Sequence, residues 1–272
     1  MLGTLFDGLF PKRCAGCGSG PWPFCAACRV QIVPLGRPHC QRCGAPARRE
    51  VRSCRHCPPE PLRAARAPFL FEGPVRRAVH RLKFAGWRPV AEALGAAMAQ
   101  ACDLDGDAIT WVPLSRGRKA TRGFDQARAL AHVVGPKIGL VVVPLLGRAA
   151  EAGPQARRRG EERRSAMGGS FAALSVPPSR VVLVDDVLTT GATAAACADA
   201  LVCAGASEVS MLTAARAISD RAFERRVGET TFVRSTAQDR HLYSGLGSRP
   251  GLWLTGERLS GSRSQPRAKR PT

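Results

Sequence analysis

Eight of the eleven cysteines lie in the first sixty residues, where they form four Cys-x-x-Cys pairs. The pairs are Cys14/Cys17, Cys25/Cys28, Cys40/Cys43 and Cys54/Cys57. Two thiolates three positions apart on a tight turn occupy two corners of a tetrahedron around Zn²⁺, and a second such turn completes it. A single pair would also suit redox chemistry, but four successive pairs indicate about two structural zinc ions.

The spacing leaves two ways of combining the four pairs into two zinc sites. In the sequential arrangement, the first pair joins the second and the third joins the fourth, which requires only short loops. In the crossed arrangement, the 14/17 pair joins the 40/43 pair. We favour the sequential arrangement, and we interpret His39 and His56 as neighbours of the ligands rather than as ligands.

A second candidate site lies in segment 180–193, whose sequence is RVVLVDDVLTTGAT. A buried strand is predicted to place Asp185 and Asp186 at its carboxyl end, the edge where open α/β sheets bind ligands. A short loop then leads into a helix whose free N–H groups favour an anion. The loop residues that offer hydroxyls or a close backbone approach are Thr189, Thr190, Gly191, Ala192 and Thr193. The segment therefore predicts a phosphate site with two carboxylates beside it.

Other nucleotide-binding patterns that place acids after a strand do not fit this chain. A P-loop requires G-x-x-x-x-G-K-[ST], and none of the five lysines follows a glycine. A dinucleotide-binding G-x-G-x-x-G is also missing. These two classes of nucleotide-binding protein are therefore excluded.

The chain beyond the cysteine pairs alternates between helical patterns and continuous apolar runs. Such runs suit strands buried on both faces of a parallel sheet, so the alternation predicts an α/β fold. The predicted helices cover 74–84, 88–101, 125–134 with Gly135 as the stop, and 194–204. The predicted strands cover 109–114, 140–146, 181–184 and 209–215. We divide the chain into a zinc-ribbon module at 1–62, an α/β domain at 63–232, and a basic, disordered tail at 233–272.

Lys and Arg outnumber Asp and Glu by 41 to 21, which gives a formal charge of +20. Such an excess favours polyanionic partners such as nucleic acid or phosphorylated metabolites, although arginine used for solubility gives the same composition. No run approaches the roughly 18 apolar residues of a membrane span. The first ten residues lack the features of a secretory signal, so we expect a cytoplasmic protein whose cysteines bind metal.

The segment VVLVDDVLTTGAT, residues 181–193, resembles the phosphoribosyl pyrophosphate (PRPP) motif of type I phosphoribosyltransferases. In that family, the paired acids hold the ribose hydroxyls and the loop binds the 5′-phosphate. The resemblance implies that Asp185 and Asp186 are the catalytic acids. It also implies that residues 189–193 bind PRPP.

Three further segments are similar to the ComF/GntX family (competence protein F). They are FEGPVRRAVHRLKFAG at 71–86, VPLSRGRKATRGFDQA at 112–127, and the region from Pro154 to Phe171. ComF proteins also carry an N-terminal double zinc ribbon, and the resemblance covers roughly residues 10–216. It implies a type I phosphoribosyltransferase-like parallel sheet flanked by helices and preceded by a zinc-ribbon module.

Two charged segments complete the predicted PRPP site. In the loop after the 109–114 strand, Arg116, Lys119 and Arg122 are expected to bind pyrophosphate together with Mg²⁺, because guanidinium forks match phosphate oxygens. Segment 151–165 resembles the flexible lid of type I enzymes, which closes over PRPP to exclude water. Its candidate lid residues are Gln155, Arg163 and Arg164.

The sequence supports two functional hypotheses. The first is a phosphoribosyltransferase, a glycosyltransferase that transfers phosphoribose from PRPP to an unknown acceptor with Mg²⁺. By resemblance, it would act in DNA uptake and natural transformation together with other DNA-uptake proteins. The alternative is a non-catalytic accessory protein that senses PRPP and binds single-stranded DNA. Turnover of PRPP would separate the two, because a fold alone does not define an activity.

Overall fold

The computed structural model describes residues 13–84, 89–115, 117, 120, 122–149 and 170–218. Its strands are β1 (Leu62–Arg66), β2 (Phe69–Leu70), β3 (Ala108–Trp111), β4 (Val141–Val142), β5 (Leu146–Arg148), β6 (Phe171–Ala173), β7 (Arg180–Leu188) and β8 (Glu208–Arg216). Six of them form one sheet in the order β1-β8-β7-β3-β4, with β2 also paired to β8, and every pairing in it is parallel. Strands β5 and β6 form a separate antiparallel pair.

Helices cover both faces of the parallel sheet. They are α2 (Gly73–Phe84), α3 (Pro89–Gln100), α4 (Gln126–Ile138) and α5 (Ala192–Cys203), and the short helix α1 (Ala26–Arg29) lies in the cysteine-rich segment. Alternate residues of β7 show the division, because Val182 and Val184 share a core with α2, α3 and α4. Val181 and Leu183 pack on the other face with α5, β5 and β6. The predicted α/β class, a parallel sheet flanked by helices, is therefore confirmed.

Strand β7 is longer than the sequence predicted. We expected it to end at Val184, with both acids beyond it, but it continues to Leu188. Parallel pairing to β8 persists as far as the Leu188–Arg216 register pair, so the backbone stays in the ladder past the acids. Asp185 and Asp186 consequently lie within the strand, on opposite faces of the sheet.

The predicted end of α4 at Gly135 is wrong. The helix continues through Pro136 to Ile138 and ends at Gly139, which has a left-handed φ of 74°. Gly135 serves packing instead, since a Cβ there would lie 2.5 Å from Cγ2 of Val142 and 2.9 Å from the Leu140 carbonyl oxygen. A close approach to β4, rather than a helix stop, explains this glycine.

The predicted buried strand at 140–146 is also wrong. The segment forms two short strands, β4 and β5, which belong to different sheets. Pro144 between them has no N–H for a ladder, and β4 is an edge strand whose Val141 is 69% exposed. A run of apolar residues here marks a change of sheet rather than one continuous strand.

The cysteine-rich segment packs directly on the α/β sheet and its helices. Cys14, Phe24 and Ile32 belong to the same buried cluster as residues of α2. The predicted division at residue 62 coincides with the first residue of β1, and the domain boundaries stay predictions. The predicted tail at 233–272 lies outside the described residues.

Candidate functional site

A cavity of about 540 Å³ opens where β3 and β7 reach the carboxyl edge of the sheet. Its lining combines cationic, acidic and small side chains from both faces of the sheet. The residues are Lys83, Val112, Pro113, Leu114, Ser115, Arg122, Gln126, Arg148, Ser170, Phe171, Asp185, Asp186, Ala192, Thr193 and Ala196. This is the edge at which open α/β sheets bind their ligands.

Asp186 is fixed from two helices. Its carboxylate is 4% exposed, and Lys83 Nζ, near the end of α2, lies 2.8 Å from its Oδ1. Gln126, the first residue of α4, donates from Nε2 to Oδ2 at 3.1 Å. The Oε1 atom of Gln126 is buried and has no hydrogen-bond partner among the described residues. Gln126 lines the cavity as well as fixing Asp186.

Asp185 has different surroundings although it is the next residue. Its Oδ1 accepts a hydrogen bond from the Asp186 N–H at 2.8 Å. Burial, and next to it the negative charge of Asp186, raise the pKa of Asp185 to about 8. Asp185 therefore exchanges its proton near neutral pH, whereas Asp186 is held in an ion pair.

The segment between β7 and α5 has the geometry of an anion site. Gly191 precedes the first residue of α5 with a φ of 84°, a conformation that L side chains rarely adopt. Ala192 and Thr193 line the cavity, so the first turn of the helix faces it. Thr189 and Thr190 are exposed, and Thr190 Oγ1 accepts a bond from the Ala192 N–H at 3.4 Å. We call residues 189–193 the phosphate loop.

Two arginines face the cavity and stack on aromatic rings. Arg122 lies 5.1 Å from the Phe84 ring centre, and Arg148 lies 4.3 Å from that of Phe171. Arg148 also donates from Nε to the Pro113 carbonyl at 3.1 Å. Of the predicted cations, Arg122 is thus placed at the cavity. The other predicted cations and lid residues, Arg116, Lys119, Gln155, Arg163 and Arg164, lie outside the described residues.

The sequence did not assign roles to Lys83, Gln126 or Arg148. Lys83 and Gln126 fall within segments that carried the family resemblance, LKFAG and RGFDQA, and that was the available signal. Arg148 follows an apolar run whose strand structure was predicted incorrectly. All three reach the cavity by tertiary packing, which spacing along the chain does not encode.

The eight N-terminal cysteines form two groups of four. The groups are Cys14, Cys17, Cys25 and Cys28, and Cys40, Cys43, Cys54 and Cys57. Within each group the sulfurs lie within 4.8 Å of one another, so the pairs combine sequentially. We call residues 14–28 the first ribbon and residues 40–59 the second ribbon.

The sulfur positions suit tetrahedral Zn²⁺. With Zn–S bonds of about 2.3 Å, two sulfurs of a tetrahedron lie about 3.8 Å apart. The distances between the sulfurs of Cys17 and Cys25, and of Cys43 and Cys54, are 3.8 Å and 3.5 Å. Burial raises the pKa of the Cys28 thiol to about 12, so a cation must replace its proton for it to act as a thiolate.

Comparison with known proteins agrees with both parts of this description. Residues 5–58 match the double zinc ribbon domain family. The chain is 28% identical to the DNA utilization protein YhgH of Salmonella typhimurium over 203 residues, which are 69% of this chain and 88% of that protein. It is 27% identical to competence protein F of Haemophilus influenzae over 184 residues, which are 62% of this chain and 80% of that protein.

The chain is thus similar to these DNA utilization and competence proteins over most of their length. The resemblance to ComF predicted from the motifs is confirmed. The ribbon match and the sulfur geometry together assign the two cysteine groups as zinc-binding clusters. Among the residues that the structure describes, no helix is long and apolar enough to cross a membrane.

Two solved structures are similar to part of the chain. One is an allosteric regulatory enzyme of purine biosynthesis, with 25% identity, a TM-score of 0.32 and 46% of this chain covered. The other is the glutamine PRPP amidotransferase of B. subtilis in complex with ADP and GMP, with 26% identity, a TM-score of 0.33 and 44% of this chain covered. The aligned part of this chain covers 25% of each of those two proteins.

Proposed function

We propose that the chain binds PRPP with Mg²⁺ at the carboxyl edge of the sheet and serves the use of imported DNA. The observation that carries this proposal is the cavity in which the first turn of α5 faces two carboxylates of β7. An anion at the helix start and hydroxyls at the acids match the two ends of a ribose 5-phosphate. The similarity to a DNA utilization protein and a competence protein supports the link to DNA.

Each residue has a separate task in the proposed complex. The backbone N–H groups at Ala192 and Thr193 bind the 5′-phosphate, and Asp185 accepts bonds from the ribose hydroxyls. Arg122 and Arg148 lie at the cavity and offset pyrophosphate charge. Mg²⁺, when bound, would add positive charge at the pyrophosphate, and carboxylate oxygens such as those of Asp185 are donors that suit it.

A second candidate function is non-catalytic PRPP sensing combined with single-stranded DNA binding. The observation that favours it is the exposed basic surface of the second ribbon. This surface is formed by Arg48, Arg49, Arg52 and Arg55. Closely spaced arginines attract a phosphate backbone without regard to sequence.

Calorimetry with PRPP and Mg²⁺ tests the proposed site. Replacing Asp185 and Asp186 together by Asn removes charged acceptors, and hydrogen bonds to charged groups are worth roughly 1.5 to 3 kcal/mol each. We therefore expect at least about tenfold weaker binding, and AMP should compete through its ribose 5′-phosphate. If the wild-type protein does not bind PRPP, or the double variant binds it equally well, the assignment is wrong. Turnover of PRPP with candidate bases then separates transferase from sensor.

A further inference from the structure

The phosphate loop is packed directly against the second ribbon. A Cβ added at Gly191 would lie 2.5 Å from Cβ of Pro58, 3.2 Å from its Cα and 3.4 Å from Cδ of Pro59. Pro58 is buried and immediately follows the zinc ligand Cys57. The tip of the loop therefore contacts the residue next to a metal ligand with no space between them.

A buried arginine joins the same ribbon to the strand beside the loop. Arg216, the last residue of β8, is 2% exposed. Its Nη1 donates to the Cys43 carbonyl at 3.1 Å, and its Nη2 donates to the His56 carbonyl. Cys43 is a zinc ligand and His56 precedes another, Cys57. A buried guanidinium requires acceptors, and the ribbon backbone provides them.

Pairing between β8 and β7 places Arg216 beside the base of the phosphate loop. Arg216 is the register partner of Leu188, and the Ala217 N–H donates to the Leu188 carbonyl at 2.8 Å. Leu188 immediately precedes Thr189, the first residue of the phosphate loop. The second ribbon thus contacts the loop at two places, at its base through Arg216 and at its tip through Pro58.

Among the described residues, none of the second ribbon lines the cavity, whose lining residues all lie between positions 83 and 196. A ligand in the cavity therefore touches the loop and not the ribbon. Any effect of the ribbon on binding must pass through the conformation of the loop.

We propose that the zinc-bound second ribbon holds the phosphate loop in its anion-binding conformation, with Pro58 and Arg216 as positioning residues. The ligand named here, a ribose 5-phosphate group, rests on the proposed function. A zinc-bound ribbon fixes the carbonyls that Arg216 contacts and the position of Pro58. Without zinc at Cys54 and Cys57, both contacts lose their support.

The test uses the full chain with Arg216→Met, Arg216→Lys and a matched control, Arg66→Met. Arg66 ends the neighbouring strand β1, and its guanidinium donates to Asp103 and the Ala65 carbonyl, although its side chain also lies beside Gly44 of the second ribbon. We expect Arg216→Met to weaken binding of PRPP with Mg²⁺ by about tenfold or more, because two charge-assisted bonds are lost. Arg216→Lys retains a cationic donor and should restore most of the affinity, and Arg66→Met should leave it within about threefold.

Amide hydrogen exchange of residues 189–193 without ligand is the second measurement. Exchange there should be faster in Arg216→Met than in the wild type, with zinc content unchanged. Unchanged exchange in a folded, zinc-replete Arg216→Met protein overturns the inference. If the wild type binds no PRPP, the proposed function fails, but the exchange result still decides whether the ribbon positions the loop.

Pro58→Gly covers the case in which Arg216→Met does not fold. It removes the side chain that meets Gly191 and leaves both arginine bonds in place. Faster exchange of residues 189–193 and weaker PRPP binding support the inference. A Pro58→Gly protein that matches the wild type in both measurements contradicts it.

Discussion

Each ribbon has its own group of four cysteines for zinc, but the two ribbons contact the α/β sheet and its helices in different ways. The first ribbon contributes Cys14, Ala15 and Phe24 to the main apolar core. The second ribbon has a small core of its own around Cys40, Cys43 and Ala45. The first ribbon is therefore integrated by apolar burial, whereas the second is joined through hydrogen bonds. These are the bonds of Arg216 to the ribbon backbone and the bonds of Arg42 with Leu62 and Ala65 of β1.

Hydrogen bonds follow the same division. Arg77 Nε donates to the Gly16 carbonyl at 2.9 Å, and Arg81 Nη1 donates to the Ala15 carbonyl at 2.7 Å. Both arginines belong to α2, whose Lys83 pairs with Asp186, so the first ribbon supports the acid side of the cavity. The second ribbon supports the phosphate side. Identical metal chemistry can thus stabilise a core in one place and position a loop in another.

The largest expected effect comes from removing the zinc ligands of one ribbon at a time. Cys14→Ser with Cys17→Ser should lower the melting temperature strongly, because loss of structural zinc exposes part of the main core. Cys54→Ser with Cys57→Ser should lower it less but abolish high-affinity PRPP binding. Metal analysis should give about two zinc ions in the wild type and one in each variant.

Thermal melts and calorimetry on the same samples measure the melting temperature and the PRPP affinity of the two double variants. A larger fall in melting temperature for the second-ribbon variant than for the first-ribbon variant would contradict the conclusion that the first ribbon contributes more to the main core. Equal loss of PRPP affinity in both variants would show that the ribbons act in the same way.

A pair of glycine substitutions gives the next largest effect. Gly191 and Gly139 both have left-handed φ values, 84° and 74°, but only the Cβ added at Gly191 would meet a neighbour within 4 Å. Gly139→Ala should cost about 1 to 2 kcal/mol of unfolding free energy and leave PRPP affinity unchanged. Gly191→Ala adds a clash with Pro58 and should weaken binding at least tenfold beyond that control. If the two variants have the same unfolding free energy by urea and the same PRPP affinity by calorimetry, the contact between Gly191 and Pro58 has no role in binding.

The acid side of the cavity should show a pH dependence that the phosphate side lacks. The pKa of Asp185 is raised to about 8, so it is protonated below that pH and ionised above it. The ionised form accepts ribose hydroxyls and suits Mg²⁺, so PRPP affinity should rise by up to about tenfold between pH 7 and 9. Asp185→Asn should flatten this profile, measured by calorimetry in two buffers to count released protons. A rise that persists in Asp185→Asn would assign the titration to another group.

The smallest expected effect concerns single-stranded DNA. Arg49 and Arg52 are exposed on the second ribbon, whereas Arg13 is exposed beside the first ribbon and Arg76 is exposed on α2. Each neutralised phosphate contributes roughly −0.7 to the slope of log K against log salt. Arg49→Gln with Arg52→Gln should reduce the slope by about 1.4, and Arg13→Gln with Arg76→Gln should leave it unchanged. Fluorescence anisotropy at several salt concentrations measures both, and equal slopes would place the DNA surface elsewhere.

The sequence predicted the features that depend on neighbouring residues. The Cys-x-x-Cys spacing favoured the sequential groups that the structure shows. The apolar run before Asp185 and the glycine after Thr190 predicted a strand, a loop and a helix at the phosphate site. These features follow from local turn geometry and from burial of a short strand.

The remaining features depend on contacts between distant segments. Neither the pairing of Lys83 with Asp186 nor the contact of Pro58 with Gly191 has a sequence signal, because each joins elements far apart in the chain. The helix stop was misplaced at Gly135 because close packing and chain reversal both require glycine. The site as a whole was therefore predictable in its β7 and loop residues but not in the side chains that support them.

The positions of Asp185 and Asp186 on opposite faces affect how accurately β7 can fold. A shift of β7 by one residue against β8 would turn every side chain to the other face. The shift would separate Asp186 from Lys83 and Gln126 and would exchange the apolar residues that the two cores receive from β7. Both changes favour the native register, and they do so whether or not a ligand is bound.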